Sequence, residues 1–258
     1  MSAPPRIFKL VAAGNDFLVV DARAHGGMEW SADEARLACR RQRGMGADGV
    51  VTLGPSAVAD ATFNLRNSDG SRAAFSGNGA RCAARLLAYL GADRDGGIRL
   101  ETSSGVLAAR VLGERSAPAA LVEVEVAPPK DIRLGLALPS GSPAPRGDYA
   151  IVGVPYVAVP VTSVDDLDLA AVAPRLRHWK ECPEGANVAF YEPPASDGST
   201  VRLRIWERGV EGETLSSGTG CAMIATMEGG VICRLLLRGD ALLLGEIHAG
   251  VDLFTADP

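Results

Sequence analysis

The chain has 258 residues, 47% of them hydrophobic, which suffices for one large domain or two ordinary ones with packed cores. Its net charge of −5, with acids and bases interspersed, leaves no basic stripe for a phosphate backbone, so small molecules and not nucleic acids are the expected partners. No apolar run approaches the ~18 residues of a membrane span, and MSAPPRIFKLVAAGNDFLVV lacks the pattern of a secretory signal, so a cytoplasmic protein without membrane contact is expected. Along the chain, RIFKLVAAGNDFLVVDA predicts a strand, a Gly-Asn-Asp turn and a second strand. SADEARLACRRQ predicts a helix capped by its serine, with Ala35, Leu37 and Ala38 spaced for burial. VVTLG and ATFNLRN read as strands, and SGNGARCAARLLAYLG as a helix that starts on glycines and stops at Gly91. IRLETSSGVLAARVL and LVEVEVAPP alternate as antiparallel strands do, and LALPSGSPAPRGDYA suits a boundary loop.

The second half repeats the plan. YAIVGVPYVAVPV is strand-like, VDDLDLAAVAPRLRH helix-like, ANVAFYE and VRLRIWERG are strands, and LSSGTGCAMIATMEGGVICRLL is again a helix started by glycines. NLRNSDGSRAAFSGNGARCAARLL matches RIWERGVEGETLSSGTGCAMIAT in layout: strand, charged turn, Ser-Gly-x-Gly, alanine-rich helix. The match makes Ser76 and Ser217 equivalent positions. A chain of two like halves tends to place its site between them.

GMGADG formally fits G-x-G-x-x-G, with Asp69 further on, but it leads into the strand VVTLG where a dinucleotide fingerprint must open a helix, so a plain turn is expected. SGNGA and SGTGC are better placed. A helix N-terminus binds anions through its uncovered N–H groups and partial positive charge, although serine is also a common N-cap with no further role. Glu207-Arg208 reads either as an ordinary exposed ion pair or as an acid and a guanidinium able to hold an ammonium and a carboxylate. Cys39, Cys82, Cys182, Cys221 and Cys233 are odd in number and scattered, which suits neither a disulfide framework nor zinc. The lysines are Lys9, Lys130 and Lys180, none placed for a pyridoxal Schiff base, and His25, His178 and His248 have no metal spacing. No cofactor and no metal are expected.

AAGNDFLVVD, GMGADG, NSDGS, SGNGARC, GVPY, ANVAF, ERGVEGET and SSGTG, in this order and over nearly the whole chain, resemble diaminopimelate epimerase and its relatives among the cofactor-independent amino-acid racemases. The resemblance implies an α/β (α+β) fold of two pseudo-symmetric domains, each a mainly antiparallel sheet wrapped around a central helix, with the active site in the cleft between them. The expected halves are residues 1–129 plus 246–258 and residues 130–245, the segment GEIHAGVDLFTADP returning to the first sheet. It also implies a pyridoxal-independent isomerase of lysine and cell-wall precursor synthesis, with a homodimer compatible.

The family reaction uses two bases, a thiolate that removes the α-proton and a thiol that delivers one to the opposite face. Those cysteines fall here at Ser76 and Ser217. The backbone N–H groups of Gly77, Asn78, Gly218 and Thr219 would cradle the substrate carboxylate. Asn15, Asn67, Asn187 and Arg208 match the positions that hold the far amino-acid end, and Glu207 the ammonium. The family's GNPH reads Gly153-Val154-Pro155-Tyr156, so Val154 and Tyr156 bear on substrate choice; loss of a partner there costs about 1 to 3 kcal/mol unless water or Tyr156 substitutes. A serine hydroxyl is a far weaker acid than a thiol and needs a neighbouring base. The leading expectation is interconversion of LL- and meso-diaminopimelate, in an inactive or slowed serine form. The alternatives are a racemase or dehydratase of another amino acid and a catalytically silent amino-acid-binding homologue.

Overall fold

The computed structural model describes residues 5–26, 28–73, 75–93, 97–193, 201–208, 210–214, 217–228 and 235–248. The chain forms two compact units, residues 1–125 with 236–258 and residues 126–235.

The first unit starts with β1 (Arg6–Ala12) and β2 (Asn15–Asp21), paired with Ala12 opposite Asn15. That register makes Ala13-Gly14 the two-residue turn, both with positive φ (49° and 78°), the type I′ geometry that matches strand twist. The expected Gly-Asn-Asp turn is thereby corrected: Asn15 and Asp16 belong to the strand. Helix α1 (Ala32–Cys39) follows, with Ser31 and Glu34 forming a capping box, and it buries Ala35, Ala38 and Cys39 while Leu37 is only half-buried. Then come β3 (Gly49–Gly54), β4 (Ala61–Asn67), α2 (Gly77–Tyr89), β5 (Ile98–Thr102), β6 (Gly105–Leu112) and β7 (Ala119–Val126).

β2 and β3 read as unbroken apolar runs because they are covered on both faces. Phe17, Val19, Val51 and Leu53 pack with α2, whereas Leu18, Val20 and Val50 pack with α1 and Trp30. The strands close a barrel in the order β1-β14-β7-β6-β5-β4-β3-β2, in which β14 (Leu235–Ile247) returns from the far end of the chain. Helix α2 runs through its core, with every residue from Gly77 to Ala88 buried. The alanine-rich stretch is small enough to sit against strands on all sides. The returning strand begins at Leu235 and not at the glycine of GEIHAGVDLFTADP, because LLLRGDALLL continues into it; residues 249–258 of that segment lie outside the described residues.

The second unit is a six-stranded sheet in the order β13-β12-β11-β10-β9-β8, built from β8 (Lys130–Ala137), β9 (Arg146–Val152), β10 (Val154–Pro160), β11 (Asn187–Tyr191), β12 (Leu203–Glu207) and β13 (Gly212–Thr214). The stretch expected as a boundary loop instead joins β8 to β9 inside this unit, and YAIVGVPYVAVPV splits into two antiparallel strands about Gly153, whose φ of 71° reverses the chain. Helix α3 (Leu169–Arg177), capped by Asp168, packs with Val157, Val159, Val188 and Phe190. Alternation along β10 turns Tyr156 and Ala158 to the opposite face, and α4 (Gly218–Glu228) packs against β9, β10 and β11. Each unit is thus a mainly antiparallel sheet around a helix that starts on Ser-Gly-x-Gly.

Candidate functional site

The helix starts are alike in geometry. Ser76 is the N-cap of α2, and its Oγ accepts from the Gly79 N–H at 3.1 Å. Ser217 stands before α4, and its Oγ accepts from the Gly220 N–H at 3.3 Å. Their carbonyls take the N–H of Ala80 and of Cys221 respectively. Both serines therefore have the N-cap geometry, which holds a hydroxyl at the positive end of a helix. The first N–H groups of a helix have no acceptor within it, and those of Gly77, Asn78, Gly218 and Thr219 stand at these two ends. At the third helical position of α4, a Cβ on Gly220 would lie 2.0 Å from Ile205 Cδ1, so the end of that side chain would have to turn away, whereas a Cβ on Gly79 of α2 would meet only ordinary contacts from 3.4 Å.

In the first unit, Asn15 and Asn78 meet, Asn78 Nδ2 donating to Asn15 Oδ1 at 3.4 Å. Asn67 ends β4 and is occupied with its own turn, its Nδ2 donating to Ser71 Oγ at 3.0 Å and its N–H to the Ser71 carbonyl. That NSDGS turn needs Gly70, since a Cβ there would lie 2.4 Å from the Ala32 carbonyl oxygen. Among the described residues a cavity of about 260 Å³ lies beside β3 and β4, lined by Trp30, Thr52, Arg66 and Arg72 among others, and it contains none of the predicted site residues.

In the second unit, Tyr156 is fully buried, and its hydroxyl lies 2.8 Å from Ser217 Oγ and 2.5 Å from Thr219 Oγ1. Burial pushes its phenol up to about 12, against the pull of those two hydroxyls. A tyrosine expected at the distal end of the substrate is thus bonded to the serine of the helix start itself. Val154 is half-buried at the beginning of β10. Asn187 lies opposite Tyr156 in the β10–β11 register and accepts the Arg208 N–H on Oδ1 at 2.8 Å. Burial raises the Glu207 carboxyl above its ordinary range, with the hydroxyls of Ser217 and Thr214 drawing it back. Arg208 donates Nη1 to the Glu184 carbonyl at 3.0 Å, so Glu207 and Arg208 face different partners and form no ordinary ion pair.

The sequence reading missed Asp48 in GMGADG, which accepts from Asn15, missed Arg41, which holds Asp48 and Asp16, and missed the Tyr156–Ser217 contact. The acid after Gly44 and Gly46 was a usable signal for Asp48; for the Tyr156–Ser217 contact, only the packing of α4 against β10 brings the residues together. Among the described residues no group of three metal-ligating side chains occurs and no helix is long and apolar enough to cross a membrane. Cys39, Cys82 and Cys182 are buried, with Cys39 and Cys182 each pushed up to about 11 by burial, whereas Cys221 is exposed; Cys233 lies outside the described residues.

The removal of the Tyr156 hydroxyl gives a direct measure of this cluster. Tyr156→Phe is expected to destabilise the protein by about 1–2 kcal/mol, because Ser217 and Thr219 lose a buried partner, which lowers Tm by about 2–8 °C. Calorimetric melting of the variant beside the parent checks it; an unchanged Tm would mean that the phenol is not a structural member of the cluster.

The family model for diaminopimelate epimerase matches residues 7–130 and 149–234. A diaminopimelate epimerase of Chlorobaculum tepidum is 36% identical over 242 residues, covering 90% of this chain and 90% of the relative. One from Archaeoglobus fulgidus is 38% identical over 231 residues, covering 85% and 79%. Among solved structures, a probable proline racemase from Agrobacterium radiobacter K84 has a similar fold, with a TM-score of 0.69 at 16% identity over 98% of this chain and 94% of that one. The match of both Ser-Gly-x-Gly helix starts and their sheets to one family over most of its length leads to a plain conclusion: the chain belongs to the diaminopimelate epimerase family and is an isomerase.

Proposed function

We propose that the protein is a cofactor-independent epimerase that interconverts LL- and meso-diaminopimelate, with Ser76 and Ser217 at the two proton-transfer positions. The observation that carries this reading is the repeated helix start: each unit supplies one hydroxyl at a helix N-terminus beside two backbone N–H groups suited to a carboxylate. The curated relatives carry the same activity in their names.

The two hydroxyls differ in their surroundings. Ser217 shares its neighbourhood with Glu207, whose raised carboxyl is a better proton acceptor than an ordinary glutamate, and with the Tyr156 phenol. Ser76 makes its described bond to a backbone N–H alone. A hydroxyl needs a base to act on an α-proton, so exchange by the serine form is expected from the Ser217 side first. Epimerisation needs both sides and is expected to be slow.

The test is incubation with LL-diaminopimelate in deuterated water without added cofactor, followed by NMR and by chiral separation. Slow α-deuteration with a trace of the meso isomer is the expected result. Exchange of another amino acid while diaminopimelate remains untouched would transfer the assignment to a different racemase. The Tyr156 hydroxyl already bonded to Ser217 favours a second reading, a silent amino-acid-binding protein. Calorimetric binding without any exchange over days would select it.

A further inference from the structure

GMGADG, which opens no helix and takes no part in the two helix starts, carries Asp48 just before its last glycine, and Asp48 faces Asn15. Asn15 donates Nδ2 to Asp48 Oδ2 at 2.6 Å, and the other oxygen of Asp48 accepts Arg41 Nη2 at 2.6 Å. Arg41 also bonds both oxygens of Asp16, at 2.8 and 3.1 Å, and Asp16 pairs with Lys9 Nζ at 2.6 Å. In the other direction, Asn15 Oδ1 accepts from Asn78 Nδ2 at 3.4 Å, and Asn78 Oδ1 accepts Arg81 Nη2 at 2.5 Å. The result is a directed chain from Arg81 through Asn78 and Asn15 to Asp48, inside the first unit.

The ends of this chain decide its direction. A carboxamide can be turned about its last bond so that oxygen and nitrogen exchange places, and only its partners fix which is which. An ionised carboxylate accepts and never donates, so Asp48 fixes the NH₂ of Asn15 toward itself. A guanidinium donates and never accepts, so Arg81 fixes the oxygen of Asn78 toward itself. Both amides are oriented from outside, and one lone pair of the Asn15 oxygen is taken by Asn78. The amide hydrogen of Asn15 that Asp48 does not take is then what Asn15 offers to a ligand.

We propose that Asp48 and Arg81 are positioning residues that make Asn15 a hydrogen-bond donor toward its ligand, so that this side of the site selects a carboxylate over a carboxamide. The inference rests on the proposed role of Asn15 in substrate binding and adds the groups that set its polarity. Asp48→Asn keeps the shape of the acid and offers an NH₂, which frees the Asn15 amide to turn over.

The experiment compares binding of LL-diaminopimelate and of its mono-carboxamides, with the amide at either end, by calorimetry to parent, Asp48→Asn and Arg81→Gln. The parent is expected to bind the diacid at least about tenfold more tightly than the carboxamide with the amide at the Asn15 end, and both variants to lose most of that ratio. Arg81→Gln acts at the opposite end and leaves the Arg41–Asp16–Asp48 ion pairs in place, so failure of one variant to fold leaves the other to decide. The side-chain NH₂ resonances of Asn15 and Asn78 in ¹⁵N-labelled protein give a second reading that needs no ligand; both pairs are expected to move in each variant. If the parent binds neither compound, the diaminopimelate reading fails, and the resonances alone test the chain. An unchanged binding ratio, or movement of only the nearer asparagine in each variant, overturns the proposal.

Discussion

Replacing Ser76 and Ser217 together by cysteine is expected to accelerate epimerisation of LL-diaminopimelate by ~10³-fold or more, the scale of a positioned acid–base group acting where none ionises near neutral pH. A thiol has an ordinary pKa near ~8.5 and loses its proton more readily at a helix N-terminus, where the partial positive charge favours the anion. The chain's buried thiols show the opposite environment: burial holds Cys39 and Cys182 at about 11, and Cys82 is also raised, because no helix end or cation outweighs desolvation there. Each single variant is expected to stay slow in epimerisation while exchanging protons on one face. Sulfur also caps a helix less well than a hydroxyl, so each replacement is expected to lower stability by about 1 kcal/mol. Inversion and α-deuteration are followed separately. A double variant that binds diaminopimelate yet reacts no faster than the parent would show that these two positions do not transfer the protons.

Deleting residues 235–258 is expected to abolish folding of the first unit. Strand β14 closes the barrel between β1 and β7, buries Ala241 in the core around α2, buries Leu237 as well, and carries the Arg6–Glu246 and Arg238–Glu123 ion pairs. Its loss leaves two unpaired strand edges and opens the core around α2, an effect comparable to the whole ~5–15 kcal/mol stability of a domain. The second unit keeps all six strands of its own sheet. Calorimetry and size-exclusion chromatography of the truncated chain check this: the first unit's cooperative transition should vanish and aggregation appear. Two intact transitions would mean that the barrel tolerates an open side.

Most of the fold was legible because the local signals agree with the final packing. Ser31 before α1 and the Ser-Gly-x-Gly starts of α2 and α4 mark helices by their first residues. What local pattern did not convey was pairing. Ala13-Gly14 became the turn because the register sets Ala12 against Asn15, and an alanine at positive φ is not an obvious turn residue. The Pro/Gly/Ser-rich stretch before Arg146 looked like a boundary, yet β8 and β9 pair across it. In the candidate site, Ser76, Ser217 and the N–H groups beside them were expected from the repeat and the resemblance. The supports did not, since Asp48 reaches Asn15 across 33 positions and Tyr156 reaches Ser217 across 61, separations at which spacing carries no information.

The closure of the barrel by β14 has a meaning for synthesis. Arg6 and Glu246, 240 positions apart, lie on neighbouring strands, so β1 cannot complete its sheet until a strand made 240 positions later has emerged from the ribosome. The second unit is one continuous stretch and has all of its strands available sooner. The usual N-terminal-first order of folding during translation is therefore reversed for these two units, and until β14 emerges the nascent β1 and β7 edges are exposed to other chains and to chaperones.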